Sequence, residues 1–239
     1  MHVLTKPIEI NFKELRSERQ DTNNAKLYYS IKANDINMFK ANVNDIKLQR
    51  ILKSINLTKE ECIKKCIEDD DYCRLFSCSV SKIATRQGSR DESEQLNVCN
   101  IISKQYGITI TGLNATELRP TKDGHIITNH EMKTMCIPKD HCLKSFDGKI
   151  TGELNGYIAA KVVYGSGGHQ DNVFEEMDTI AEWWKTYKCG SNEVLIVLIE
   201  TDLIKKFIRL QNKFGNVNNV MVFNHIQFQQ YLIDNYSFS

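Results

Sequence analysis

The stretch Phe146–Gln170, FDGKITGELNGYIAAKVVYGSGGHQ, decides the fold. Asp147 stands directly before a glycine, and Tyr157, Ile158, Val162 and Val163 form an apolar, β-prone run with Lys161 in its middle. Asp147 lies 12 residues before Ala159. That spacing suits two adjacent antiparallel strands joined by a turn within Lys149–Gly156, which brings Asp147 and position 159 together at one end of a sheet. Side chains alternate along a strand, so position 159 and Lys161 share a face while Ala160 points into the sheet packing. A second acid before a glycine, Asp123, lies 36 residues before Ala159 and is the rival for the place of Asp147. The Gly-rich run Gly165–Asn172 follows the lysine strand. It lacks the G-K-[ST] of a P-loop, and its glycines let backbone approach a ligand closely.

Downstream, the pattern predicts a helix over Asn172–Tyr187. Val173, Met177, Ile180, Ala181 and Trp184 line one side, and Glu175, Glu176, Asp178 and Glu182 decorate the others. Glu193–Ile199 is apolar without alternation, as expected of a central strand covered on both faces. A helix over Asp202–Phe214, a strand over Asn219–Phe223 and a helix over Ile226–Asp234 complete an alternation that predicts an α/β sandwich around a mixed sheet. Upstream, a helix within Ser79–Gly107 carries Leu96, Val98, Cys99, Ile101 and Ile102 on its apolar side, and Gly107 ends it. Ile108–Thr111 and His125–Thr128 read as short strands, and Leu118–Gly124 as a Pro/Gly turn exposing Arg119 and Lys122.

The first 78 residues read as mostly helical. A short helix is expected near Phe12–Arg19 and a longer one over Ile36–Ser54. Asn56 and Leu57 break the pattern, and Thr58 with Glu61 forms a capping box that starts a helix running to about Asp69. The expected division is a helical segment over 1–78, for DNA contact, dimerisation or packing on the core, and a sheet-bearing core over 79–239.

At 239 residues the chain buries a sizeable core. Its 41% apolar and 26% charged content argues against disorder. A net charge of +1 gives no global signal for nucleic acid, although a local basic face suffices for DNA. The first sixty residues carry eleven Lys/Arg against seven Asp/Glu. The opening MHVLTKPIEINFKELR lacks the apolar core of a signal peptide. No apolar run nears the roughly 20 residues of a membrane helix. A cytoplasmic location without membrane association is therefore expected. Cys62, Cys66, Cys73 and Cys78 cluster with spacings of no common zinc pattern and read as buried reduced thiols, with a structural metal as the alternative.

Arg86, Gly88 and Glu92 form R-x-G-x-x-x-E at the opening of a helix. Asp147, position 159 and Lys161 follow the order acid, turn, acid-x-lysine, and Gln170 with Phe174 forms Q-x-x-x-[YF]. This set resembles PD-(D/E)xK nucleases over about residues 80–239, and most of all the Type II restriction endonucleases. The resemblance implies a restriction-endonuclease-like mixed β-sheet flanked by helices. It also implies Mg²⁺ as cofactor, double-stranded DNA as partner, and a homodimer placing one active site on each strand. Asp147 would be the principal metal ligand, Glu92 would reach the metal from the side, and Lys161 would orient water and stabilise the phosphate. The acidic side of the helix after the Gly-rich run reads most simply as a solvated face, with carboxylates in its first turn as the ones that could lie near the metal. Arg86, Arg90, Arg119, Lys122, His169, Gln170 and Asn172 are the expected DNA contacts. The family pattern requires Glu or Asp at 159, and the chain has Ala159. Removal of one acid by a Glu→Ala change, leaving a protein that holds uncut DNA, accounts for this. A natural protein without the activity is the alternative. A junction resolvase and a non-catalytic DNA-binding protein are the other functions open to the same fold.

Overall fold

The structure, a computed structural model, describes residues 5–83, 87–114, 117–164 and 168–238, apart from the side chains of 168–171. The chain divides into two units: Asn11–Gln87, and a second built from Met1–Ile10 with Gly88–Ser239. The division falls later than the expected position after Cys78, because the last helix of the first unit continues to Val80. The first ten residues group with the sheet-bearing unit.

The helical unit comprises α1 (Phe12–Lys32), α2 (Ile36–Asn42), α3 (Asp45–Ile55), α4 (Lys59–Glu68) and α5 (Asp70–Val80). α1 runs well past the expected Arg19. The expected single helix over Ile36–Ser54 is two helices. Val43 is extended and bridges to Ser81, and the Asn44 side chain accepts from the Lys47 amide to start α3. A side-chain cap of this kind contributes about 1 kcal/mol, enough to favour a restart over a continuous helix. Asn56 ends α3 in the left-handed region at φ 50°, and the Thr58–Glu61 capping box opens α4 as expected. Leu27, Ile31, Phe39, Leu48, Cys62, Cys66, Cys73 and Phe76 form the core of this unit. Cys78, expected to be buried with the other thiols, is exposed.

Asp70 links α5 to α1. It accepts from Tyr28 Oη at 2.5 Å and pairs with Lys32 at 3.1 Å and Arg74 at 3.0 Å. The Tyr28 hydroxyl and the two cations hold its carboxyl down at about 2, against an ordinary 3.8. A depressed carboxyl stabilises the fold above its unfolded pKa, and that contribution is lost as pH falls through the folded value. The thermal midpoint of the parent chain is therefore expected to drop from about pH 5 to pH 2 more steeply than that of Asp70→Asn. Thermal melts across that range check this, and parallel curves would refute it.

The sheet unit comprises α6 (Gln87–Ser103), β1 (Ile108–Gly112), β2 (Leu118–Pro120), β3 (Ile126–Thr128), α7 (Asn129–Thr134), β4 (Gly148–Gly152), β5 (Gly156–Val163), α8 (Gly168–Tyr187), β6 (Val194–Thr201), α9 (Ile204–Phe214), β7 (Val220–Phe223) and α10 (His225–Asn235). The described residues form a mixed sheet in the order β1-β4-β5-β6-β7 and a small β2-β3 hairpin. β1/β4 and β4/β5 are antiparallel, and β5/β6 and β6/β7 are parallel. β4 and β5 are the hairpin expected from the Phe146–Gln170 stretch. Gly156 opens β5 so close to β6 that a Cβ there would lie 1.9 Å from the Val194 carbonyl oxygen. The Val194–Ile199 run is buried throughout, as expected of a central strand.

The class is α/β, with helices on both faces. Phe174, Met177, Ile180 and Trp184 of α8 and Phe207, Leu210 and Phe214 of α9 cover Tyr157, Ala159, Leu195 and Val197. Leu96, Cys99 and Ile102 of α6 and Phe228 and Leu232 of α10 cover Ile158, Ala160, Ile196 and Leu198. Ile101, placed by periodicity on the apolar side of α6, is half exposed. No helix among the described residues is long and apolar enough to cross a membrane.

Ile8 and Ile10 are tied in by a polar network. The Ile8 amide donates to Gln229 Oε1 at 2.8 Å, and the Ile10 amide donates to His225 Nε2 at 3.1 Å. Because Nε2 accepts, the ring proton sits on Nδ1, 2.7 Å from Glu200 Oε1. Gln95 of α6 donates to the same Glu200 oxygen at 3.3 Å.

Candidate active site

The site lies where β5 outruns β4. The ladder between them begins with Gly148 opposite Ile158, so the Ala160 amide has no strand partner on that side. Asp147 Oδ2 accepts from it at 2.8 Å, while the Asp147 amide donates to the Ile158 carbonyl at 2.8 Å. The carboxylate is thus fixed against the strand by the register of the hairpin.

Lys161, two residues along β5, is 8% exposed. Its ammonium meets the carboxylate of Glu92, three residues before Gln95 on α6. Burial alone would pull the Lys161 pKa down, but the Asp147 and Glu92 charges outweigh it and hold the group protonated. Burial pushes both carboxyls up, opposed by Lys161 in each case. Ionised carboxylates here are uncomfortable and gain from any further positive charge.

Two more side chains complete the cluster. Lys144, three residues before Asp147, has a side chain 26% exposed, and its ammonium lies 3.2 Å from Glu176 Oε2. Burial and the neighbouring Lys161 charge lower its pKa. Glu176, on the third turn of α8, is near enough to Asp147 to push its carboxyl further up. Ala159 is 1% exposed among the apolar residues between β5 and α8, so strand position 159 contributes no oxygen.

Asp147, Lys161 and Glu92 therefore come together as the spacing and motif reading anticipated, with Ala160 on the opposite face. Asp123, the rival acid, is engaged in the β2–β3 turn with Thr121 and His125. Arg119 was expected on an exposed loop for DNA contact. It lies instead in β2, 8% exposed, with its Nε buried and without a hydrogen-bond partner. Leu118–Pro120 pairs with Ile126–Thr128 rather than forming a turn, and the turn proper is shorter. Lys122 is exposed on that turn, and Arg90 is exposed on α6. Arg86 and the loop 165–167 lie outside the described residues. α8 starts at Gly168, so His169 and Gln170 stand on a helix rather than in the expected loop, while Asn172 lies on the helix expected from it onward. Asn172 is exposed, and the side chains of His169 and Gln170 lie outside the described residues. Lys144 escaped the sequence reading because a lysine in a connecting segment carries no periodic signal. Glu176 was visible only as one of four acids on the helix.

Among the described residues, no three His, Cys, Asp or Glu side chains converge as a ready-made metal cage. Magnesium does not need one: it keeps several waters and is held by one or two carboxylates together with substrate phosphate oxygens. The donors here are hard carboxylate oxygens, destabilised by burial and short of positive charge, and they fit such an ion. No protein-family model, curated protein or solved structure matches the chain, so the chemistry of the site rests on its own residues.

Proposed function

We propose that the chain is a magnesium-dependent DNA endonuclease with a PD-(D/E)xK, restriction-endonuclease-like core, and that it acts as a homodimer on double-stranded DNA. The observation that carries this reading is the meeting of Glu92, Asp147 and Lys161, three groups far apart in sequence and singled out separately by motif and spacing. Asp147 and Glu92 are the groups that would hold Mg²⁺. When bound, the ion acts as a Lewis acid on the phosphodiester and lowers the pKa of water. Lys161 stays charged, orients the attacking water and stabilises the developing charge on phosphorus-bound oxygen. Asp147, fixed by the Ala160 amide, keeps its carboxylate at the end of the sheet where the backbone of DNA would pass. Exposed Arg90, Lys122 and Asn172 are the phosphate and base contacts this reading retains. Cytoplasmic location goes with it, since the eight cysteines are all free.

Ala159, packed among apolar residues, favours a second reading: a DNA-binding protein of the same fold that does not cut. Digestion of a mapped supercoiled plasmid with Mg²⁺, by the parent chain and by Ala159→Glu, separates the two. Discrete fragments from the parent are the expected result and show that the site cuts without a carboxylate at 159. Fragments from Ala159→Glu alone identify position 159 as the missing ligand. Cutting confined to four-way junctions indicates a resolvase. DNA binding without cleavage by either chain leaves the non-catalytic reading.

A further inference from the structure

We propose that α3 is a DNA-reading helix: its outer face, Ile46, Gln49, Arg50 and Lys53, enters the major groove of double-stranded DNA and sets the sequence the protein prefers. This deepens the reading above. It rests on duplex DNA being the partner and is independent of whether the sheet unit cuts.

The break at Val43 and Asn44 presents this face. It divides one run of sequence into two helices, α2 and α3, joined by a two-residue link. The link is pinned to the end of α5 from both sides. The Asn44 amide donates to the Val80 carbonyl at 2.7 Å, and the Lys82 amide donates to the Asn42 carbonyl at 2.7 Å. Leu48 and Leu52 bury the inner side of α3 in the core of the helical unit. The outer side is a stripe at steps of three and four residues. Ile46, Gln49, Arg50 and Lys53 are all exposed on it. Among the described residues, the side chains of Gln49, Arg50 and Lys53 have no hydrogen-bond or ion-pair partner.

Charge and chemistry choose the occupant. Residues 36–59 hold five lysines and arginines and one acid, Asp45, in a chain whose net charge is +1. A local excess of this kind suits a polyanion. A helix that lies on lipid presents a broad apolar face, whereas this stripe has one apolar side chain, Ile46. Its residues are those that read base edges. Arginine grips guanine, glutamine grips adenine, and an apolar side chain meets the thymine methyl. Lys53 supplies a point charge for a phosphate. The second of two closely linked helices is also the one that enters the major groove in helix-turn-helix proteins.

The test is selection of bound duplexes from a random-sequence pool by the full chain, with EDTA to prevent cleavage, followed by affinity against salt for the selected duplex. The parent is expected to enrich a defined sequence. Gln49→Ala and Arg50→Ala are each expected to relax that preference at one or two base pairs, by about ten-fold or more. Arg50→Lys is expected to relax it equally while keeping the parental salt slope, because it retains the charge and loses the bidentate fork. Lys53→Ala is expected to weaken all duplexes alike and to reduce the slope of log affinity against log salt by about one. A preference unchanged in the Gln49→Ala, Arg50→Ala double variant overturns the proposal, as does parental binding with no preference. Loss of binding to phosphatidylserine vesicles in the double variant, with duplex binding intact, overturns it in favour of a lipid surface. If the parent binds no duplex, this inference and the nuclease reading fail together. If the double variant still cuts plasmid at the parental sites, only this inference fails. If preference depends on α3 and no DNA is cut, the inference stands and the cutting fails.

Discussion

Lys161→Met is expected to lower DNA cleavage by about 10²–10³-fold, the loss seen when one preorganised charge-stabilising group is removed, while DNA binding changes by only a few-fold. The lysine is in direct contact with Glu92 and within the field of Asp147. It is held on a strand buried on both faces, so its position costs no reorganisation during reaction. A stability effect accompanies the loss of activity. Without Lys161, two carboxylates already pushed up by burial face one another. Breaking a buried pair costs about 3–5 kcal/mol, and the open edge of this site places the expected loss toward the lower end of that range. The loss should be larger at pH 8 than at pH 5. As pH falls, Glu92 takes up a proton above its ordinary 4.5 and the repulsion disappears. Plasmid digestion and urea unfolding at the two pH values test both parts. A Lys161→Met chain that cuts at the parental rate would remove the residue from the mechanism.

Trp184→Ala is expected to be the most damaging single change to stability, at about 3–5 kcal/mol. Against a total of about 5–15 kcal/mol for a typical domain, that is a large share. Trp184 is fully buried on α8, with its ring 5.9 Å from that of Phe146 and 5.7 Å from that of Tyr157. Phe146 is the residue before Asp147, and Tyr157 lies two before Ala159. The three rings thus anchor the residue next to Asp147, and activity is expected to fall with stability. Trp184→Phe should be far milder, within about 1.5 kcal/mol. The indole Nε1 is buried with no hydrogen-bond partner, so the smaller ring loses contact area but also sheds an unsatisfied donor. Urea unfolding of the two variants gives the comparison. Equal destabilisation by Ala and Phe would contradict it.

Much of the sheet unit was legible because its signals are local. The apolar run of β6 has no alternation and is covered on both faces, and the turn glycines around β4 and β5 marked a hairpin whose register places Asp147. The Thr58–Glu61 capping box was readable for the same reason: two side chains three apart satisfy each other's backbone. What was missed depends on partners distant in sequence. α1 continues past Arg19 although its apolar residues are sparse, because Leu27 and Ile31 pack in the core of the helical unit. Arg119 looked like a loop cation until β2 paired with β3. At the site, motif order located Glu92, Asp147 and Lys161, which sit on regular elements. Lys144 and Glu176 reach the cluster only through the packing of α8 and the course of the segment before β4, and no spacing rule records either.

The clasp of Ile8 and Ile10 onto α10 also sets an order of events during synthesis. The Ile8–Gln229 contact spans 221 residues, and contacts of such separation form late. The helical unit, 11–87, is contiguous and emerges whole before the sheet unit has its strands. The sheet unit is completed only when α10 meets the segment that carries Ile8 and Ile10. Gln95, Glu200 and His225 join that last helix to α6, the helix that carries Glu92. The side chains proposed to cut DNA thus reach their final framework only once α10 has been made.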